Sequence, residues 1–221
     1  MKSAEDKKNQ IKAVIFDYDG VLVDSREIGL ASYKAIAEHF GAVAYSSMKE
    51  FQEAQNGRYK NVLVQWGATT PEQIEHAENI YKQVHKSKNV NPIPGIKEVL
   101  EGLSKDYILA LVSGTYKKII NVGLKKNNLE HYFHHIIGKD DVQNIKPAPD
   151  GLLMSLKRLG IKPHEAIYIG DMVIDIMMGR SAGVKTAIMT SHSWNTVEDL
   201  KKGNPDILIE RPEQILQVLH G

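Results

Sequence analysis

Asp17 and Asp19 are two carboxylates separated by one residue, at the end of the apolar run Ala13–Phe16. Carboxylates at the carboxyl end of a central strand lie in the crevice where open α/β sheets bind ligands. If the extended backbone persists, Asp17 and Asp19 point to one side and can share a cation. Gly20 then permits a tight turn. The competing reading is a strand-to-helix turn rich in Asp and Gly, with no chemistry. Three further groups each lie after a predicted strand and so converge on the same edge of the sheet. Ser113-Gly114 offers a hydroxyl and backbone N–H groups suited to a phosphate oxygen, or a plain helix cap. Lys146, in Lys-Pro-Ala-Pro-Asp, offers a cation in a rigid loop that can neutralise a phosphoryl group, or a solvated surface lysine. Gly170-Asp171 adds a hard oxygen ligand of the kind Mg²⁺ prefers. Asp175, one helical turn on, reads as a further ligand, as a partner that holds the ligands in place, or as a favourable charge in a helix's first turn.

These residues must be positioned by the elements that precede them. Short apolar runs alternate with amphipathic segments, the pattern of a parallel sheet with crossover helices. The spacing predicts strands at Ala13–Phe16, Ile108–Val112, His135–Ile137, Ala166–Ile169, Val184–Ile188 and Asp206–Ile209. Helices are expected near Tyr116–Lys126, Asp150–Leu159 and Ile174–Ala182, and from Pro212 to Leu219. Gly160 and Gly183 stand where helix C-terminal glycines belong. Between the first two strands lies a helical stretch longer than one crossover needs. Ile28, Ala31, Ala35 and Phe40 fall near one helical face, and Ile74, Ala77, Tyr81 and Val84 near another. Asp24 with Glu27, and Thr70 with Gln73, have capping-box spacing. This insert reads as a helical excursion with its own small core, as a cap that closes over the end of the first strand, or as both, with re-entry at Asn91–Gly95. The expected organisation is a flexible tail over 1–10, an α/β core over 11–24 and 92–221, and an all-helical cap over 25–91.

Composition narrows the function classes. The chain has 221 residues with 28 basic and 27 acidic side chains, so no excess charge speaks for nucleic acid. The absence of cysteine excludes disulfides, zinc–thiolate sites and a cysteine nucleophile. No apolar run is long enough for a membrane span, and the polar first ten residues do not read as a signal peptide; a soluble, cytoplasmic protein is expected.

Taken together, Asp17-x-Asp19-Gly20-Val21, Ser113, Lys146-Pro147-x-Pro149 and Gly170-Asp171-x-x-x-Asp175 resemble the four ordered motifs of the haloacid-dehalogenase-like superfamily. Asp19–Ser25, with the helical insert after it, is similar to the phosphoglycolate phosphatase and β-phosphoglucomutase branch. Tyr18 departs from the pattern, since Leu or Met is commoner there, with only a mild effect on packing expected. The resemblance implies a Rossmann-like parallel sheet flanked by helices, with a small all-helical cap inserted after the first strand. It implies Asp17 as nucleophile, forming an aspartyl-phosphate, and Asp19 as general acid and base. Mg²⁺ would be held by Asp17, the Asp19 carbonyl and Asp171, while Ser113, Gly114 and Lys146 hold the phosphoryl oxygens. Asp19 also separates the chain from the dehalogenases, which lack an acid there. The expected activity is Mg²⁺-dependent hydrolysis of a small phosphorylated metabolite, phosphoglycolate-like or a sugar phosphate. A β-phosphoglucomutase-like transfer shares every core residue, and a non-catalytic phosphate-binding protein is a remoter alternative. Arg58, in the turn Asn56-Gly57-Arg58, is a candidate substrate contact from the cap. His192 and Trp194 are candidates for the pocket rim. His131, His134 and His135 sit away from the motif edge and are not read as a metal site.

Overall fold

The computed structural model describes residues 11–45, 47, 50, 59–87 and 90–220. The expected tail over 1–10 and the turn bearing Arg58 lie outside the described residues. Strands β1 (Ala13–Phe16), β4 (Ile108–Val112), β5 (Ile136–Ile137), β6 (Ala166–Gly170), β7 (Lys185–Met189) and β8 (Ile207–Ile209) form one parallel sheet. Its order is β5-β4-β1-β6-β7-β8, so β1 sits inside the sheet between β4 and β6. Both faces are buried, which explains why the strands read as continuous apolar runs rather than alternating ones. The sequence-predicted strands all form, with ends that differ by a residue or so.

Alternation along the strands divides the core into two layers. Val14, Phe16, Leu109, Leu111, Ile167 and Ile169 point into one layer. Helices α4 (Ile96–Leu103) and α5 (Lys117–Lys126) cover it through Leu100, Leu103, Ile120 and Leu124. Ile15, Ala110, Val112 and Tyr168 point into the other, under α6 (Asp150–Leu159) and α7 (Val173–Ala182). A one-residue slip of β1 would exchange these sets, so apolar burial itself fixes where the residues after Phe16 point. Gly160 and Gly183 end α6 and α7 in the left-handed conformation, at φ 65° and 69°. Helices α8 (Val197–Lys202) and α9 (Gln214–His220) complete the chain, α9 starting just after Pro212.

The long stretch between the first two core strands is helical where described. It contains α1 (Arg26–His39), α2 (Tyr59–Gln65) and α3 (Pro71–Ser87), packed on their own cluster of Tyr33, Ile36, Val62, Leu63, Trp66 and Ala77. Its entry and exit meet in a two-stranded antiparallel ribbon, β2 (Val23–Asp24) against β3 (Asn91–Pro92). None of the described helices is long and apolar enough to cross a membrane.

Two expectations here need correction. The buried face of α1 is Ile28, Gly29, Ser32, Tyr33, Ile36 and Ala37, not the face through Ala31 and Ala35. Ser32 can be buried because its hydroxyl donates to the Ile28 carbonyl at 2.7 Å, and a polar residue in a buried face is invisible to apolar periodicity. Asp24 and Glu27 do not make a capping box: Ser25 precedes the helix, and Asp24 instead pairs with the Arg26 guanidinium at 2.7 Å. Thr70 and Gln73 do make one, with reciprocal bonds of 3.3 and 2.9 Å.

Tyr18 is 1% exposed, and its hydroxyl has no hydrogen-bond partner among the described residues. It lies against Gly123 of α5, where a Cβ would overlap it. Removing an unpaired buried hydroxyl relieves a desolvation cost, so Tyr18→Phe should raise the unfolding free energy by about 1 kcal/mol. Gly123→Ala should lower it by about 1–3 kcal/mol through overpacking, and by less in the Tyr18→Phe background. Urea unfolding of the two single variants and the double variant checks this; strictly additive effects would contradict the contact.

Candidate active site

Asp17 comes directly after Phe16 and so turns to the layer of Ile15 and Tyr168. Lys146 meets it there. Its ammonium donates to Asp17 Oδ2 at 2.7 Å, to Asp175 Oδ1 at 2.7 Å and to the Tyr168 hydroxyl at 2.6 Å. The Lys146 and Asp17 side chains are 7% and 8% exposed and Asp175 is fully buried. The reading of Lys146 as a solvated surface lysine is therefore wrong. Two carboxylates and a phenol hold it inside, and the Tyr168 hydroxyl itself donates to the Val112 carbonyl at 3.1 Å.

Asp175 commits its second oxygen to the backbone. Oδ2 accepts from the amides of Asp171 at 3.1 Å and Met172 at 2.9 Å, fixing the turn between β6 and α7. The loop after β7 braces the same turn: the Ser193 hydroxyl donates to the Asp171 carbonyl, and Asn195 accepts from the Val173 amide at 3.0 Å. Asp171 itself is 1% exposed, and its Oδ2 has no hydrogen-bond partner among the described residues. Gly20, at φ +70°, passes so close that any Cβ there would overlap this oxygen.

Asp19 is oriented by the loop after β4, where the Thr115 hydroxyl donates to Asp19 Oδ2 at 2.6 Å. Ser113 does not cap a helix, because α5 begins only at Lys117; its hydroxyl accepts the Thr115 amide at 3.1 Å and shapes the loop. A cavity of about 870 Å³ opens above these groups. Asp17, Asp19, Ser113, Gly114, Lys146 and Asp171 all line it, so the sequence-nominated groups meet at one edge of the sheet. Its far wall comes from the helical insert and the loop after β7, through Tyr33, Glu78, His85 and Trp194. A second cavity, about 700 Å³ beside Lys185 and Asp206, contains none of these residues.

Burial dominates the electrostatics. It pushes the Asp17 carboxyl up to about 7, against the pull of Lys146. Burial, then the charge of Asp175, holds Asp171 well above the ordinary carboxylate range. Burial opposes the charge on Lys146 too, but Asp17 and Asp175 outweigh it and raise the ammonium above its usual value. One lysine thus leaves the cluster short of positive charge. Asp17, Asp171 and Asp175 each offer an oxygen within 4.8 Å of the others. An all-oxygen donor set with one unpaired buried oxygen fits a hard divalent cation, which would favour the ionised form of every carboxylate present.

Comparison with known proteins agrees with this arrangement. The sequence pattern of the family described as haloacid dehalogenase-like hydrolase matches residues 14–189. The chain belongs to this family. A phosphorylated carbohydrates phosphatase of Thermotoga maritima is 31% identical over 220 residues, covering 95% of this chain and 98% of that one. Pyrophosphatase PpaX of Bacillus pumilus is 28% identical over 216 residues, covering 96% and 98%. Among solved structures, a candidate β-phosphoglucomutase of Thermotoga maritima superposes with a TM-score of 0.71 at 28% identity, covering 95% and 99%. A haloacid dehalogenase-like protein of Streptococcus pneumoniae has a TM-score of 0.80 at 24% identity over 94% and 98%, a likeness of fold. These neighbours agree with the branch resemblance read from Asp19–Ser25.

The remaining nominated residues of this hydrolase divide clearly. Trp194 lines the cavity, whereas His192 turns to Asp24 at 3.7 Å. His135 is tied to Ser155 at 2.9 Å, and burial drives its ring down to about 4. Thr115, Tyr168, Ser193 and Asn195 went unread; of these, only Thr115 carries a signal, standing two residues beyond Ser113 in the loop after a buried strand.

The lysine's burial sets a stability test. Lys146→Met strands two buried carboxylates and should cost about 3–5 kcal/mol. Adding Asp175→Asn should recover at least about 1 kcal/mol, since one stranded charge is removed. Urea unfolding in EDTA measures both, and a double variant no more stable than Lys146→Met would contradict the ion cluster.

Proposed function

We propose that this hydrolase is a Mg²⁺-dependent phosphatase that acts on a small phosphorylated metabolite through an aspartyl-phosphate on Asp17. The observation that carries the reading is the Asp17 carboxylate at the end of an interior strand, bonded to Lys146, with Asp19 held beside it by Thr115. In the first step an Asp17 oxygen bonds to phosphorus as the ester P–O bond breaks, and Asp19 gives its proton to the departing oxygen. In the second, water attacks the phosphorus, Asp19 takes the water proton, and the Asp17–phosphorus bond breaks. Lys146, Ser113 and the Gly114 amide contact the phosphoryl oxygens, whose charge shifts during transfer. Mg²⁺, held by Asp17, Asp171 and the Asp19 carbonyl, would supply positive charge against the repulsion between nucleophile and phosphate. Asp175 orients the Asp171 turn and balances Lys146.

The proposal includes a division of labour in which residues 25–91 form a cap over a core of 11–24 and 92–221. The ribbon at the root of the insert supports it, as do the insert's residues on the cavity wall. Such a cap excludes water and selects among small substrates, phosphoglycolate-like or sugar phosphates. Arg58 is a candidate contact on sequence grounds alone. Likeness to the candidate β-phosphoglucomutase keeps phosphoryl transfer to a sugar hydroxyl as the second reading; release of inorganic phosphate in stoichiometric yield separates the two.

Asp17→Asn should reduce phosphate release to background while the thermal midpoint stays near that of the wild type, because an amide cannot attack phosphorus. Retained turnover in the purified variant would sink the nucleophile assignment. EDTA should abolish activity, and Mg²⁺ but not Ca²⁺ should restore it, since the larger ion tolerates looser geometry. At about 100 times its dissociation constant, Mg²⁺ should add roughly 2.7 kcal/mol to wild-type stability and nearly nothing to Asp171→Ala. An equal shift in both proteins would remove Asp171 from the metal site.

A further inference from the structure

His85 lies in the last turn of α3, 9% exposed, and takes no part in the chemistry above. Its Nδ1 is 3.0 Å from the Tyr81 carbonyl and 3.3 Å from Ser32 Oγ. The carbonyl can only accept, so Nδ1 carries the hydrogen. Ser32 gives its own hydrogen to Ile28 and accepts from the ring as well. The ring also stacks on Tyr81, with centroids 3.9 Å apart. These contacts leave His85 one orientation and one tautomer. Its other nitrogen, Nε2, has no hydrogen-bond partner among the described residues, and the residue lines the cavity shared with Asp19 and Lys146.

Burial lowers the affinity of His85 for a second proton, although the charge of Asp19 opposes this. The neutral ring presents a bare lone pair. Such a group accepts a hydrogen bond and has nothing to offer a carboxylate or a second phosphate. The surrounding charges agree. Lys146 is committed to Asp17 and Asp175, and Lys139 to Glu78 at 2.8 Å, so no lysine lining the cavity among the described residues is without a carboxylate partner. Trp194 and Tyr33, with ring centroids 6.2 Å apart, add an apolar wall suited to the C–H face of an uncharged body.

We infer that His85 is a specificity-determining residue whose Nε2 accepts a hydrogen bond from a hydroxyl of the leaving group, so that the enzyme selects phosphomonoesters of uncharged, hydroxyl-bearing alcohols. This rests on the phosphatase reading and names its substrate class. A buried acceptor built for a hydroxyl is left unpaired by an analogue that lacks it, which is what makes such a site selective.

The test compares kcat/KM for matched esters: glycerol 3-phosphate against n-propyl phosphate, and glucose 6-phosphate against cyclohexylmethyl phosphate. The wild type should prefer the hydroxylated member of at least one pair by about 10-fold or more, and prefer it to phosphoglycolate and pyrophosphate. In His85→Ala that preference should fall to within about 2-fold, and His85→Gln, whose amide oxygen can replace the acceptor, should restore part of it. Thermal midpoints of both variants report whether the helical unit still folds. An unchanged preference in His85→Ala, equal losses on both members of a pair, or a wild type that favours pyrophosphate or phosphoglycolate would overturn the inference. A wild type that hydrolyses none of these esters, nor p-nitrophenyl phosphate, would instead overturn the phosphatase reading on which it rests.

Discussion

The site depends on one buried ammonium. Lys146 has left water, and an ion that does so loses several kcal/mol of hydration unless its partners replace it. Asp17, Asp175 and Tyr168 do so, each within 2.7 Å. Each partner in turn is held by something that cannot move independently. Asp17 is fixed by the pleat of β1, Tyr168 by its place in β6, and Asp175 by the two amides it accepts in the turn before α7. The geometry of the candidate nucleophile is therefore tied to strand register and to a loop more than a hundred residues away. The same balance of charge leaves Asp171 uncompensated, with an unpaired buried oxygen and a carboxyl pushed upward by burial. A divalent cation is the simplest group that answers both.

The helical insert meets this core through polar contacts as well as apolar ones. Glu78 of α3 accepts from Lys139 at 2.8 Å and from the Tyr116 hydroxyl at 2.5 Å, linking the insert to the loops after β4 and β5. Burial alone would raise Glu78, but Lys139 and Tyr116 hold it below its usual value and keep the link ionic. Gly29 of α1 lets the Trp194 ring lie flush against the insert, where a Cβ would overlap it. The insert's own core of Tyr33, Leu63 and Trp66 lets it keep its shape while these few contacts set its position over the cavity.

Much of this was legible in the residues. Buried parallel strands produce unbroken apolar runs, so β1, β4 and β6 could be read directly, and the residues just past their carboxyl ends share one edge of the sheet. Asp17, Asp19, Ser113 and Asp171 were found for that reason, and Lys146 as a cation in a proline-framed loop before a helix. Polar groups whose role depends on a partner distant in sequence failed to show. Lys146 was legible as a cation, but its burial was not, because nothing local reveals Asp175 or Tyr168. Ser32 lies on a buried face of α1 that apolar periodicity places one residue away, while His85 shares the face of α3 read through Ala77 and Tyr81 but, being polar, leaves no mark on an apolar pattern. Asp24 satisfies a capping pattern by spacing alone, while Arg26 decides its actual contact. Thr115 was within reach, since a hydroxyl two residues past Ser113 could be expected to face the same crevice.

The central claim is that Asp17 itself bonds to phosphorus, and chemical trapping tests it most directly. Borohydride reduces an acyl phosphate to an alcohol, which would convert the phosphorylated aspartate to homoserine. Quenching the enzyme in borohydride during turnover, followed by peptide mass spectrometry, should place homoserine at position 17, dependent on substrate and absent from Asp17→Asn. Turnover that releases phosphate with residue 17 unaltered, or with the modification at another aspartate, would contradict the account.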